Sequence, residues 1–267
     1  MARAAKVHRA SDDAQEVQAP NLLYMALEAR APWEFGAALA SWPMLRLMGA
    51  WPRGDSHAVI VYPGLAAGDL STQPMRAFLS DAGYQTFGWN QGMNRGPREG
   101  VLDALGVQIR EVAALTGRKV SLVGWSLGGI YAREMAKREP ALVRSVTTLG
   151  TPFAQDPKAT NAWRVYQFLS GDPVQQPVMM RGLATAPPVP TTSLYSRSDG
   201  VVAWQCSIQA PCADNPHTEN IEVMASHIGL GINPAAWYAI ADRLSQPEGA
   251  WQPMDKTGLK RLFFCGE

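Results

Sequence analysis

A serine between two glycines is the first feature of this sequence that could carry out chemistry. The segment Gly124-Trp125-Ser126-Leu127-Gly128 directly follows the apolar run Val120–Val123 and precedes a helical stretch, Gly129–Arg138. A serine at a strand-to-helix turn has its hydroxyl held clear of the backbone, and the flanking glycines keep other side chains away. The pattern predicts that Ser126 is a nucleophile. A glycine-rich turn without a catalytic role is the alternative.

A serine hydroxyl becomes a good nucleophile only when a base takes its proton, so the hypothesis requires a histidine farther along the chain. Among the four histidines, His227 alone lies beyond the last apolar run. His8 is in the polar start of the chain, His57 opens an early run and His217 precedes the last one. We therefore expect His227 to be the base. A structural histidine at the end of a strand is the alternative.

An acidic residue is also required, to orient the histidine and to stabilise the imidazolium that forms during attack. Asp199 follows the apolar run Thr191–Ser196 and is followed by Gly200, as in a turn. Asp172 and Asp214 are rivals, but neither follows a strand-like run with turn residues. We expect Asp199 to be the acid, and an ordinary Asp-Gly turn is the alternative.

Attack on a carbonyl group further requires N–H donors for the oxygen that becomes negative. The loop Tyr62-Pro63-Gly64-Leu65 follows the first predicted strand, and the backbone N–H groups of Leu65 and Leu127 are the expected donors. A plain Pro-Gly turn is the alternative. Apolar side chains farther along could line an acyl pocket or form a small core of their own, among them Trp163, Phe168 and Met179.

Short apolar runs alternate with amphipathic stretches from residue 57 onward, which is typical of βα units around a parallel sheet. The predicted strands are His57–Tyr62, Gln85–Trp89, Lys119–Gly124, Val143–Leu149, Thr191–Ser196 and Asn220–Ala225. Helices are predicted over Val101–Leu115 and from Pro234, which Asn233 can cap. The predicted fold class is α/β, with a mostly parallel sheet of about six or more strands flanked by helices.

One domain is predicted at residues 56–246, between less regular ends. Residues 1–20 are predicted to be a flexible tail, 21–55 a helical segment and 247–267 a second tail. The long connection at 152–190 is expected to be a helical cap over the site. The segment 21–51 could pack against the domain or contact a membrane surface or lipid substrate, but its charged residues and prolines argue against a membrane span.

Composition gives the chain no long-range field, because 24 Lys and Arg stand against 23 Asp and Glu. Nucleic acid is therefore not an expected partner. No metal-ligand spacing and no phosphate-binding loop is found, so no cofactor is expected. Cys206 and Cys212 could form a disulfide or stay as thiols, and Cys265 has no obvious partner. The first residues lack the apolar stretch of a secretory signal, which favours a cytoplasmic location, with membrane association left open.

Together these motifs resemble the α/β-hydrolase superfamily over about residues 55–245, and more narrowly its bacterial lipase- and esterase-like members. The segments that carry the resemblance are Val61–Gly64, Gly124–Gly128, Leu149–Pro152, Ser198–Val202 and Ser226–Leu230. The resemblance implies a serine hydrolase that cleaves carboxylic esters, lipids among them, through an acyl-enzyme in a hydrophobic cleft under a mobile cap. Acyl transfer, thioester hydrolysis and a binding role without catalysis are left open, as are the native acyl chain and the oligomeric state.

Overall fold

Two inner strands of the sheet are built mostly from aliphatic residues and are buried on both faces. The computed structural model describes residues 17–47, 51–154 and 182–265. In the strand Ala58–Tyr62, five successive side chains are buried, and in Val120–Trp125 the first five are. Continuous burial of this kind is expected for the central strands of a parallel sheet covered by helices.

Seven strands within the described residues form one sheet, in the order β2-β1-β3-β4-β5-β6-β7. They are β1 (Ala58–Tyr62), β2 (Gln85–Phe87), β3 (Val120–Trp125), β4 (Val143–Leu149), β5 (Thr191–Tyr195), β6 (Thr218–Val223) and β7 (Phe264–Cys265). The first six strands are parallel, and β7 pairs antiparallel with β6. The α/β fold class and the mostly parallel sheet of six or more strands are therefore confirmed.

Helices cover both faces of this sheet and enclose two apolar cores. They are α1 (Leu22–Leu27), α2 (Ala31–Leu47), α3 (Asp69–Asp81), α4 (Val101–Thr116), α5 (Leu127–Arg138) and α6 (Pro234–Leu244). One core contains Phe78 of α3 and Trp237 of α6, and the other contains Ile109 of α4 and Tyr131 of α5. At the start of α6 the Asn233 side chain accepts hydrogen bonds from two backbone N–H groups, as its capping role predicts.

The N-terminal helical segment, α1 and α2 with the 3-10 turn Glu28–Arg30 between them, presents two different faces. Ala31 and Ala38 are buried, and the Trp42 ring meets the edge of Trp237 with 6.0 Å between centroids. On the opposite side, Trp33 is 82% exposed and Leu47 is 91% exposed. One side of the segment thus packs on the domain while the other leaves large apolar side chains in solvent. Among the described residues, no helix combines the length and hydropathy that a bilayer crossing requires.

Besides short 3-10 turns, one helix and one strand among the described residues are absent from the predicted pattern. Helix α3 was not predicted; it contains Pro74 and buries only four of its thirteen residues. Strand β7 lies where a tail was expected, and it pairs Phe264 with Val223 at the edge of the sheet. The first is only partly apolar and the second is only two residues long, so neither carries a strong periodic signal.

Most of the predicted cap, with Trp163, Phe168 and Met179, lies at 155–181, outside the described residues, as does most of the predicted N-terminal tail. The two described ends of the cap connection meet on α5. There the Arg133 guanidinium donates hydrogen bonds to the carbonyls of Leu183 and Thr185 and lies 3.7 Å from the centre of the Phe153 ring.

Of the two outcomes left open for Cys206 and Cys212, the structure shows that they form no disulfide with each other.

Candidate active site

Ser126 lies at the turn between the end of β3 and the start of α5. Its φ is 53° and its ψ is −121°, a backbone conformation that non-glycine residues seldom adopt. The turn is closely packed, since a Cβ atom on Gly124 would lie 2.4 Å from the carbonyl oxygen of Gly128. This conformation presents the serine at the carboxyl ends of the strands, where ligands bind in open α/β sheets.

The structure brings the three predicted catalytic side chains into one hydrogen-bonded chain. His227 Nε2 lies 3.0 Å from Ser126 Oγ, and His227 Nδ1 lies 2.7 Å from Asp199 Oδ2. An ionised carboxylate can only accept, so Nδ1 carries the proton and Nε2 of the neutral ring is left to accept from the serine hydroxyl. Ser126, Asp199 and His227 are 8%, 4% and 6% exposed. The arrangement can therefore take a proton from Ser126 in a site largely shielded from water.

Asp199 is held by its own loop, which follows β5. Its Oδ1 accepts hydrogen bonds from the N–H groups of Val201 and Val202 at 2.8 Å and 2.7 Å. These two bonds fix the carboxylate so that Oδ2 faces the imidazole. The hydroxyl of Ser196 donates to the carbonyl of Ala225 at 2.6 Å, which ties this acid loop to the base loop that carries His227.

The pKa of His227 reflects opposing influences. Burial of the ring lowers the pKa, but the charge and hydrogen bond of Asp199 and the charge of Glu28 raise it, and the net pKa lies above the ordinary 6.5. A raised pKa means that the site stabilises the imidazolium, the state that a general base reaches when it accepts a proton.

Gly150, at the end of β4, lies against the contact between acid and base. Its φ is +54°, and a Cβ atom there would lie 3.0 Å from His227 Nδ1 and 3.1 Å from Asp199 Oδ2. Sequence reasoning did not assign this glycine a role at the site. The signals in the sequence are its position directly after a predicted strand and its place in Leu149–Pro152, one of the segments that carry the family resemblance.

Of the two predicted oxyanion donors, Leu127 directly follows Ser126 in the chain, and Leu65 is in the loop that follows β1. Leu127 is the first residue of α5, where the helix offers its N–H group no internal acceptor. The loop of Leu65 also approaches the serine, since a Cβ on Gly64 would lie 3.4 Å from Ser126 Cβ. Asn94 holds this loop by donating to the Pro63 carbonyl at 2.9 Å. The role of the Leu65 and Leu127 N–H groups as donors to a developing oxyanion stays a prediction.

A second Ser-His-Asp chain occurs at the opposite ends of the strands. His57 lies 2.5 Å from Asp55 Oδ1 through Nδ1 and 2.9 Å from Ser121 Oγ through Nε2. Ser121 and His57 are fully buried, and Ser121 lies inside β3 rather than at a turn. Burial lowers the pKa of His57 below its ordinary value, whereas in His227 the charge and hydrogen bond of Asp199 and the charge of Glu28 outweigh burial and raise the pKa. A carbonyl substrate cannot reach this serine, so these residues stabilise the strands.

The rival candidates lie elsewhere. Asp214 is exposed in a turn, and the His217 ring stacks on Trp251 with 5.3 Å between centroids. Asp172 is outside the described residues. No cluster of His, Cys, Asp and Glu suited to a metal ion is found in the part of the chain that the structure describes.

Comparison of the sequence with known proteins gives short matches. No protein-family model matches the chain. A triacylglycerol lipase of Pseudarthrobacter phenanthrenivorans is 51% identical over 45 residues, which are 16% of this chain and 14% of that protein. A triacylglycerol lipase of Burkholderia plantarii is also 51% identical over 45 residues, 16% of this chain and 13% of that protein. The chain therefore matches only about one seventh of the length of these relatives.

Comparison of the structure with solved structures gives longer matches. Lipase B of Aspergillus fumigatus superposes with a TM-score of 0.55 and 20% identity, over 75% of this chain and 55% of that one. Naproxen esterase (carboxylesterase NP) of Bacillus subtilis superposes with a TM-score of 0.52 and 15% identity, over 73% of this chain and 86% of that one. The sheet order, the strand-to-helix turn at Ser126 and these superpositions agree: the chain has the α/β-hydrolase fold.

Proposed function

We propose that this protein hydrolyses carboxylic esters through an acyl-enzyme, with Ser126, His227 and Asp199 as its catalytic triad. The observation that carries the proposal is the continuous hydrogen-bonded chain from the Ser126 hydroxyl through His227 to Asp199. Ser126 is at a turn of positive φ at the carboxyl end of a central strand, which is where such a nucleophile is expected. The similarity to two triacylglycerol lipases and to a lipase and an esterase of known structure supports the same reaction class.

The first half of the proposed reaction forms the acyl-enzyme. Ser126 Oγ attacks the acyl carbon of the ester while His227 Nε2 takes the hydroxyl proton. The carbonyl oxygen becomes negative, and the N–H groups of Leu65 and Leu127 would donate to it. The bond between the acyl carbon and the leaving-group oxygen then breaks as the C=O double bond re-forms. The imidazolium gives its proton to the leaving-group oxygen, and the alcohol departs. Asp199 keeps the ring in one tautomer throughout and balances its positive charge.

The second half of the reaction releases the acid. A water molecule loses a proton to His227 Nε2 and attacks the acyl carbon, and the ester bond to Ser126 breaks as the proton passes to Ser126 Oγ. An alcohol or amine in place of water would give acyl transfer with the same residues. The reaction partner, rather than the triad, decides between these two outcomes.

The acyl group is proposed to be apolar, with lipid esters within the range. The relatives named triacylglycerol lipase and the exposed apolar side chains of the N-terminal helical segment support this extension. The prediction that Trp163, Phe168 and Met179 line the acyl pocket belongs to the same proposal, and so does peripheral membrane contact through residues 21–51.

The test is hydrolysis of p-nitrophenyl esters, from acetate to palmitate, by wild type and by Ser126→Ala. We expect turnover by the wild type and a loss of roughly 10⁶-fold in the variant, the loss found when a serine nucleophile is removed from a comparable triad. Ser121→Ala is a matched control, because it removes a serine from the other Ser-His-Asp chain and should leave kcat unchanged. Added acceptor alcohols would reveal acyl transfer.

Undiminished ester hydrolysis by Ser126→Ala would contradict the proposal. A chain-length optimum at short esters would identify an esterase, and an optimum at long esters would identify a lipase. The same two variants can be treated with a fluorophosphonate, which reacts with an activated serine whatever the native ester. We expect labelling of the wild type and of Ser121→Ala, and none of Ser126→Ala.

A further inference from the structure

A carboxylate from the N-terminal helical segment lies between the acid loop and the base loop. Glu28 Oε1 accepts hydrogen bonds from the N–H groups of Gly200 and His227, both at 2.8 Å. Glu28 Oε2 accepts from the N–H group of Ile228 at 3.0 Å. One side chain thus binds the residue after the acid, the base itself and the residue after the base.

Two further residues of the same segment extend this contact. Glu34 accepts from the N–H group and the hydroxyl of Ser226, both at 2.9 Å. Arg30 forms an ion pair with Glu34 at 2.9 Å and donates to the hydroxyl of Ser198 at 2.6 Å. Glu34 and Arg30 therefore hold Ser226 and Ser198, the residues that precede the base and the acid. Glu28, in the same helical segment, holds the residues that follow the base and the acid.

The packing between the segment and the two loops leaves no room for additional atoms. A Cβ on Gly200 would lie 2.2 Å from the carbonyl oxygen of Tyr24, and a Cβ on Gly229 would lie 1.3 Å from Glu34 Oε2. Gly200 is in the acid loop and Gly229 is in the base loop. Both loops therefore carry glycine where the N-terminal helical segment lies against them.

The charges at this contact act on the base in the same direction. Asp199 faces the imidazole from the acid loop, and Glu28 faces the base loop from the N-terminal helical segment. Both negative charges raise the pKa of His227. The positive charge of Arg30 is paired with Glu34, so it is largely balanced within the segment. Glu28 is half-buried, which limits how far solvent screens its charge.

We propose that Glu28 is a positioning residue of this site, which fixes the backbones of the acid and base loops so that Asp199, His227 and Ser126 stay in line. The inference rests on the proposed function. It gives the N-terminal helical segment a role in the reaction, through hydrogen bonds to the loops and through the negative charge next to His227. Glu34 and Arg30 hold the outer residues of the same two loops.

The experiment compares wild type with Glu28→Gln and Glu28→Ala. The glutamine keeps an acceptor oxygen but removes the charge, and the alanine removes both. Glu111→Gln is the matched control, because Glu111 is an exposed glutamate on α4. For each protein kcat and KM are measured on p-nitrophenyl esters, and the rate of fluorophosphonate reaction with Ser126 is measured from pH 5 to 9.

We expect kcat to fall roughly tenfold for Glu28→Gln and up to a hundredfold for Glu28→Ala, since displacements approaching 1 Å can cost a factor of that order. KM should change little. The acidic limb of the pH profile should move to lower pH in both variants, because loss of the negative charge lowers the pKa of His227. The control should match the wild type in all three quantities.

Three outcomes would overturn the inference. Unchanged kcat in both Glu28 variants would do so, and so would a fall in kcat without movement of the acidic limb, which is what a merely structural role gives. A wild type that neither hydrolyses esters nor reacts with the fluorophosphonate would remove the proposed function and the inference together. A reactive wild type with unaffected Glu28 variants would remove the inference alone.

Circular dichroism spectra of the variants are compared with that of the wild type to check that each variant folds. Glu28→Gln keeps the test available if Glu28→Ala fails to fold.

Discussion

Replacing Gly150 with alanine should impair the site while leaving the fold in place. The residue lies at the end of β4 with φ +54°, and the new methyl group would point at the contact between Asp199 and His227. Two separate penalties are expected. The first is the backbone strain of an alanine in the left-handed region, about 1–2 kcal/mol. The second is crowding of the hydrogen bond that holds the base.

The size of the crowding follows from the distances. The added Cβ would lie 2.9 Å from Leu230 Cδ1, 3.0 Å from His227 Nδ1 and 3.1 Å from Asp199 Oδ2, whereas ordinary contacts are 3.4–4 Å. Each neighbour must therefore move by a few tenths of an ångström, and the Asp-His bond of 2.7 Å cannot keep its geometry. Since a 1 Å misplacement can cost about 100-fold, we expect kcat to fall roughly tenfold.

The matched control is Gly117→Ala. Gly117 ends helix α4 with φ +65°, and nothing lies within 4 Å of its Cβ position. Both variants should lose about 1–2 kcal/mol of stability through the same strain, seen as a Tm lower by several degrees. Only Gly150→Ala should show the roughly tenfold fall in kcat for ester hydrolysis and react more slowly with the fluorophosphonate. Equal activity of the two variants would refute the assignment of Gly150 to the site.

The two histidines of the hydrogen-bonded chains offer further tests. Asp199→Asn should lower kcat by about 10⁴, because the imidazole loses the acceptor that fixes its tautomer, and ester hydrolysis close to wild type would contradict this. The raised pKa of His227 predicts that kcat/KM rises with pH through a midpoint above 6.5, since the base must be neutral, and a midpoint below 6.5 would count against it. Because the pKa of His227 is higher in the folded state, protonation of His227 stabilises the fold. This stabilisation is complete below pH 6.5 and is lost as the pH rises through the folded-state pKa. The difference between the urea unfolding midpoints of wild type and His227→Gln, measured across this pH range, checks it. Ser121→Ala should lower the free energy of unfolding by about 1–3 kcal/mol, because it leaves His57 Nε2 buried without its hydroxyl partner. The same variant should leave kcat unchanged. A loss of turnover without a loss of stability would contradict this prediction.

Local patterns in the sequence determined the nucleophile turn, the strands that lead to the site and the fold class. The serine turn could be predicted because Gly124, Gly128 and the preceding apolar run are adjacent in the chain. Strands Val143–Leu149 and Thr191–Tyr195 are rich in aliphatic, aromatic and β-branched residues although Arg144, Ser145 and Ser193 interrupt them, and their predicted bounds agree with the structure within one residue. His227 and Asp199 could be proposed because each follows such a strand, and the carboxyl ends of parallel strands meet at one edge of a sheet.

Only the tertiary structure decided which groups surround those three side chains. Glu28 is 172 residues from Gly200 and 199 residues from His227, and no periodic pattern records a hydrogen bond between segments so far apart. The place of Gly150 against the catalytic residues is visible only in the structure, where a Cβ atom on it would contact both His227 and Asp199. The sequence also could not show that Asp55, His57 and Ser121 form a second chain, because burial and the place of Ser121 within β3 make that chain structural. Residue types and spacing specify local conformation, whereas the close approach of distant loops depends on how the whole chain packs.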